Sequence, residues 1–284
     1  MNRNLWRRFK NSVFLSGVYA LTGLALVPLG LVLWYTIVKG LPAVSHPEFF
    51  FNVERPVGIP GSGISQAIVG TAMMVGMASA IAIPVGVISG VYLAEYGHGR
   101  WAGWVRLASD VLVGAPSIAI GLFAYAILVV PFHRYSAISA SAALAILMLP
   151  VVIRTTEGAV GLIPGGLRES GLALGLPRWR VSLQLILPAA AAGVLTGALL
   201  AVARAAGETA PLLFTAFGNP LWNVDPTRAM SALPLVVFRD ALTPYNELQA
   251  QAWGAALVLV TMVLAINLAS RWVLRRQTGQ AGRL

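Results

Sequence analysis

Over 284 residues, hydrophobic side chains make up 57% and charged ones only 11%. Soluble domains carry about a quarter charged residues, so a water-soluble globular protein is excluded. The absence of cysteine excludes a disulfide framework, thiol chemistry and thiolate metal sites. A net charge of +10 would suit nucleic acid, but the basic residues gather at the ends of apolar stretches, as in a membrane protein, and no nucleic-acid partner is expected.

The first twelve residues, beginning MNRNLWRRFK, read as a basic cytoplasmic N-terminus. The apolar run Val13 to Val38 exceeds the 7–15 residues typical of a signal-peptide core. It also exceeds the roughly 20 residues needed to cross a bilayer, so a retained first helix is predicted. Further spans are predicted at 66–94, 105–130, 137–156, 185–208 and 250–273, followed by a cytoplasmic tail at 274–284. The chain thus reads as an all-α polytopic protein with six transmembrane helices. Its core occupies 66–273, preceded by the first helix and an external loop at 13–65.

Small residues recur at four-residue spacing as Gly86 and Gly90 in the second span and Gly193 and Gly197 in the fifth. Such pairs let helix backbones approach closely in lipid. In the third span, GAPSIAIGLF places Gly114, Pro116 and Ser117 where a kink is predicted. Two external connections are long. Residues 39–65 are rich in Pro and Gly, and residues 209–249 are interrupted by Pro211, Pro220, Pro226, Pro234 and Pro244. The latter predicts short helices lying at the outer interface with Trp222 as an anchor, able either to receive an external partner or simply to hold the loop there.

Basic residues set the orientation. Fourteen fall at the N-terminus, in the 95–106 and 154–184 loops and at the C-terminus, where Arg271, Arg275, Arg276 and Arg283 lie. Five, Lys39, Arg55, Arg134, Arg228 and Arg239, fall on the other side. The basic side is cytoplasmic, so both termini are placed inside the cell.

Between the fourth and fifth spans runs TTEGAVGLIPGGLRESGLALGLPRWRVSLQLILP. Pro164, Gly165 and Gly166 end the preceding helix, and a short amphipathic helix is predicted within about 167–182. Leu167, Leu172, Leu174 and Leu176 supply its apolar contacts, and Arg168 and Glu169 its polar ones. Gly175 suits a left-handed cap, with Pro177 following, and Pro188 falls near the first turn of the next span. A short helix at the membrane face is suited to pass a push from a soluble subunit into the spans.

An ionised group at the bilayer centre costs about 2.5–3.5 kcal/mol on insertion scales, so each one needs a reason. Arg204 and Glu208, four apart, are predicted to share one helix face in the outer part of the fifth span. They read either as a structural ion pair or as an oxyanion contact, in which Glu208 holds Arg204 and its planar fork donates two hydrogen bonds at once. Asp110 follows Arg106 by four and reads as a local helix pair. Arg154, near the inner end of the fourth span, either lines a path or snorkels to the interface, and Glu157 is placed to pair with nearby arginines. His46, His98 and His133 are scattered without metal-ligand spacing. No phosphate-cradling G-x-x-x-x-G-K-[ST] loop is present and the only lysines are Lys10 and Lys39, so energy must come from another subunit.

The connection resembles a pattern that marks the permease subunits of bacterial ABC importers: Glu-Ala-Ala, three residues, Gly, nine residues, Ile-x-Leu-Pro. Glu169, Gly175, Leu187 and Pro188 match it. Ser170, Gly171 and Leu185 depart from it by small-for-small and aliphatic-for-aliphatic changes. The strings GAPSIAIGLF and ARAAGETAPLLFTA extend the likeness over roughly 65–273, to the phosphate-specific ABC importer permeases of PstA type. That resemblance implies a non-enzymatic permease in the bacterial inner membrane, moving inorganic phosphate by alternating access. It implies a PstC-type permease as partner, an extracytoplasmic phosphate-binding protein, and two ATPase subunits that bind ATP and Mg²⁺, with no cofactor in this chain. It assigns Glu169, Ser170, Gly171, Gly175 and Pro188 to ATPase coupling, and Arg154, Arg204 and Glu208 to charged positions of the phosphate path, to which Ser117 and Asp110 in the third span are added as candidates. A permease for sulfate, molybdate or phosphonate is the nearest alternative, and an autonomous channel or proton-coupled carrier is one of a different class. A membrane enzyme is disfavoured because no clustered catalytic side chains are visible.

Overall fold

The computed structural model describes residues 3–281, which are helical apart from their connections and one isolated β-bridge between Phe217 and Met230. Arg283 of the predicted tail lies outside the described residues. Helix α1 (Arg3–Val44) contains the predicted first span. It touches the rest of the fold near its end, where Gly40 lies against Trp253 and Leu257. Upstream, Gly17, Gly23 and Gly30 have nothing within 4 Å, so this length of α1 presents its apolar side chains away from the rest of the chain. A short turn, α2 (Glu48–Phe51), buries Phe49 against Gly254.

Helices α3 (Ser65–Tyr96) and α6 (Ala137–Gly161) form the centre. Gly86 faces Val152, and Gly90 faces Thr156 and the carbonyl of Ile153. The small residues of α3 therefore admit α6 at backbone range, and Met74, Ala78, Leu144, Met148 and Val152 close the core around them. Ser136 caps α6 by accepting the Ser139 N–H at 3.1 Å.

Two predicted spans are broken, not straight. Residues 105–130 divide into α4 (Arg100–Gly114) and α5 (Ser117–Ala124), the latter continuing as a π-helical turn through Val129, with a 106° bend between them. Pro116 lacks an N–H and drives the preceding residue out of the helical region, and Ala115 is extended at ψ 137°. The second break follows α7 (Gly165–Ala173) and α8 (Arg178–Arg180). A π-helical stretch, Val181–Ile186, leads into α9 (Leu187–Ala189), and the axis then turns by 72° into α10 (Ala191–Gly207). Pro188 removes the hydrogen bond that would hold the preceding turn, so the helix widens before it and breaks after it. Pro188 is thus not in the first turn of the long helix of the fifth span but in the segment ahead of the bend.

The segment 209–249 also differs from its expected interfacial placement. Helices α11 (Ala210–Thr215) and α12 (Leu233–Ala241) are built into the core, with Leu212, Thr215, Leu233 and Val236 buried. Gly121 admits the Cα of Pro211, which seats α11 on α5. Trp222 remains exposed on the connecting loop. Helix α13 (Asn246–Ala281) covers the predicted sixth span and packs on α1, α10 and α12.

On the predicted external side, Arg239 bridges Glu54 at 2.6 Å and Asp240 at 2.8 Å, joining the first external loop to α12. Asp240 is fully buried, and burial raises its pKa above the ordinary carboxylate value. A carboxyl raised in the folded state adds stability below its unfolded pKa and loses it as pH climbs through the raised value. The Tm of the wild-type protein is therefore expected to decline across that window, and Asp240→Asn to flatten the decline. A Tm–pH curve identical in both proteins would contradict this.

Candidate anion pathway and coupling site

Arg154 and Asp110 come together at the junction of α4 and α6. Arg154 donates from Nε at 2.8 Å and from Nη2 at 2.6 Å to Asp110 Oδ1, and from Nη1 at 2.9 Å to Glu157. Glu157 also accepts from Arg106 Nε at 2.6 Å, and Arg106 reaches the carbonyls of Gly97 and Leu93. The expected local pair between Arg106 and Asp110 does not form. Each goes to α6 instead: Asp110 takes three short contacts from Arg154 at a half-exposed edge, whereas a local helix pair contributes only about 0.2–0.5 kcal/mol. The result is a neutral group of two arginines and two carboxylates that ties α4 to α6. Every nitrogen of Arg154 is engaged in it.

Arg204 is held differently. Its Nε donates to Glu208 at 3.2 Å, and neither Nη has a partner among the described residues. The arginine side chain is 39% exposed and that of Glu208 only 16%. Glu208 has left the helix, with ψ 126°, because α10 ends at Gly207, so the carboxylate reaches back from the cap rather than from the next helical turn. The geometry leaves the outward edge of the guanidinium, with four of its five N–H donors, open to an anion.

The two arginines are not one site. Gly197 packs on Thr155 and Gly193 on Ala159, so α10 runs antiparallel to α6. Arg204 lies seven residues beyond Gly197, about 10 Å further along the axis. Ser117 begins α5 after the Pro116 break, and its hydroxyl bonds to neither arginine.

At the basic rim, α7 ends as its sequence predicts. Gly175 has φ +77°, its N–H reaches the Leu172 carbonyl at 2.9 Å, and Leu176 N–H reaches Gly171 at 3.2 Å, a Schellman termination. Glu169 and Ser170 are exposed on α7, and Leu174 is 81% exposed. Leu174 therefore gives no internal packing, contrary to its predicted role. Gly171 is buried instead, with Leu185 and Val181 where a Cβ would go, so it seats α7 and offers nothing to a soluble partner. Pro188 shapes the bend and is likewise no part of the α7 surface. Arg168 points inward, to Glu95 at 2.7 Å and to the carbonyls of Ile163 and Val160, clamping α7 onto α3. Glu95 escaped the sequence reading; a lone carboxylate at the inner end of an apolar span was its only signal.

Comparison with known proteins places this architecture. An inward-facing crystal form of the MetNI methionine ABC transporter aligns with a TM-score of 0.61 at 20% identity, covering 75% of this chain and 94% of that one. The fold is therefore that of an ABC importer permease. The family described as the binding-protein-dependent transport system inner membrane component matches residues 82–279. The phosphate transport system permease protein PstA of Yersinia pestis is 40% identical over 276 residues, 97% of this chain and 93% of that protein. PstA of Xylella fastidiosa (strain 9a5c) is 43% identical over 242 residues, 84% of each. The chain belongs to the binding-protein-dependent inner membrane transport family, among its PstA permeases. It is a membrane-embedded transport permease, of a family that works in ABC transporters with ATPase and binding-protein partners.

Proposed function

We propose that this chain is the permease subunit of an ATP-driven importer that moves inorganic phosphate inward across the bacterial plasma membrane by alternating access. Both termini face the cytoplasm, in keeping with the bias of basic residues. A second, PstC-type permease completes the translocation path. Two ATPase subunits bind ATP and Mg²⁺, and an extracytoplasmic binding protein delivers phosphate.

ATP binding draws the ATPase subunits together, and α7 passes that motion through Arg168 and Glu95 into α3. The faces presented by Glu169, Ser170 and the Gly175 turn are the docking points, and 66–273, bounded by the second and sixth spans, is the moving core. Arg204 meets phosphate in transit, while Arg154 and Asp110 brace the inner end of the path.

The observation that carries this reading is Arg204, an arginine in the last turn of an apolar helix whose carboxylate partner leaves its donor edge free. Glu208 offsets part of the charge, so that an anion is held weakly enough to leave. The test is reconstitution in vesicles. Phosphate is expected to accumulate only with the complete set of subunits, binding protein and ATP, and unlabelled phosphate but not sulfate is expected to compete. Passage through this chain alone without nucleotide would sink the proposal.

A further inference from the structure

Two cavities meet at the inner end of α3, away from Arg204. One, of about 200 Å³, is walled by Val87, Ile88, Val91, Tyr92, Leu183 and Leu187. The other, of about 240 Å³, is walled by Glu95, Arg168 and Arg178. They share Tyr96 and Ser182, so together they make one groove. Its lining passes from aliphatic at Val87 to charged at Glu95, eight residues or about 12 Å along α3. That length is enough to reach from the edge of the hydrocarbon across the headgroup layer of a bilayer, which is roughly 6 Å deep on each side.

Charge and aromatic placement follow the same axis. Arg168 is neutralised by Glu95, whereas Arg178 has no side-chain partner among the described residues. Arg180 lines neither cavity but stands at the rim, over the ring of Trp179 at 5.2 Å. The groove's polar end thus carries net positive charge. Tyr92 and Tyr96 stack at 6.0 Å, and Trp179 stands across from them, a set of aromatics suited to the membrane–water boundary. A small hydrated anion would satisfy the arginines and leave the aliphatic half uncovered; an amphiphile satisfies both.

We propose that this groove binds one anionic glycerophospholipid, its acyl chain along Val87, Ile88 and Leu183 and its phosphate at Arg178. The lipid bridges α3 to the segment that follows α7. The inference needs only that the chain is embedded in a membrane and is independent of which solute it moves.

The test is native mass spectrometry of the assembled transporter, titrated in detergent with phosphatidylglycerol, phosphatidylethanolamine or inorganic phosphate. One phosphatidylglycerol is expected to be retained per chain, at least about fivefold more tightly than phosphatidylethanolamine. Arg178→Gln and Arg180→Gln, both at exposed positions, are each expected to weaken it about fivefold, the contribution of one basic side chain near an anionic surface. Leu183→Ser is expected to weaken both lipids, and excess inorganic phosphate to displace neither. Equal retention of the two lipids, indifference to both arginine substitutions, or displacement by inorganic phosphate would each overturn the proposal. The last outcome would assign the polar half to a free anion.

Discussion

Leucine in place of Gly90 is expected to leave little folded protein in the membrane, whereas leucine in place of Gly23 is expected to leave yield and Tm unchanged. Both glycines lie in apolar helices that insert equally well, so the difference isolates packing from insertion. A Cβ at Gly90 would stand 2.6 Å from the Thr156 Cβ and 2.7 Å from the Ile153 carbonyl oxygen. Thr156 is fully buried and the carbonyl belongs to α6 itself, so no side-chain rotation opens space. Overpacking a core costs about 1–3 kcal/mol, and more where backbone has to move. A loss of at least about 3 kcal/mol is therefore expected, read as the yield of monodisperse protein and its Tm in detergent. Gly23 has nothing within 4 Å. Equal Tm values for the two variants would mean that α3 and α6 do not meet at backbone range.

The same contrast explains what was legible. Apolar runs of bilayer length located α3, α6 and α13, because every buried or lipid-facing position in such a helix selects the same residue types. Gly175 announced the end of α7, since a left-handed cap is a local requirement. Hydropathy counts apolar residues but is blind to axis direction, so the 106° and 72° bends were visible only as Pro116 and Pro188, and their size is set by what the two halves pack upon. Ion pairing was the least legible. Among the described residues, seven of the ten acidic side chains pair with arginine, and Arg106 and Asp110 show why neighbours in sequence need not be partners. Glu54 reaches Arg239 from the far end of the chain. No periodicity encodes such a pair; it follows only after α12 has folded into the core.

Arg204→Ala is expected to reduce phosphate uptake by about two orders of magnitude while the subunits still assemble. The reason lies in the difference between the two predicted pathway arginines. Arg154 makes hydrogen bonds through all of its nitrogens to Asp110 and Glu157, so removing it takes away Asp110's partner and one of the two ties between α4 and α6, and is expected to reduce assembly. Arg204 makes one bond, through Nε, and both Nη groups stay free. Its loss leaves Glu208 alone at a mostly buried position, a penalty that falls on stability, but it also removes the only N–H fork on α10. Hydrogen bonds to a charged group contribute about 1.5–3 kcal/mol each, so losing a bidentate contact accounts for a hundredfold or greater loss of flux. Arg204→Lys keeps the charge without the fork and is expected to fall between the two. Glu208→Gln separates the roles, because it frees Arg204 while removing the charge that weakens anion retention. Tighter phosphate binding with slower release is the expected result. Uptake of labelled phosphate into vesicles, read beside co-purification of the partner subunits, measures both effects. Wild-type uptake by Arg204→Ala would show that α10 carries the arginine for structure alone.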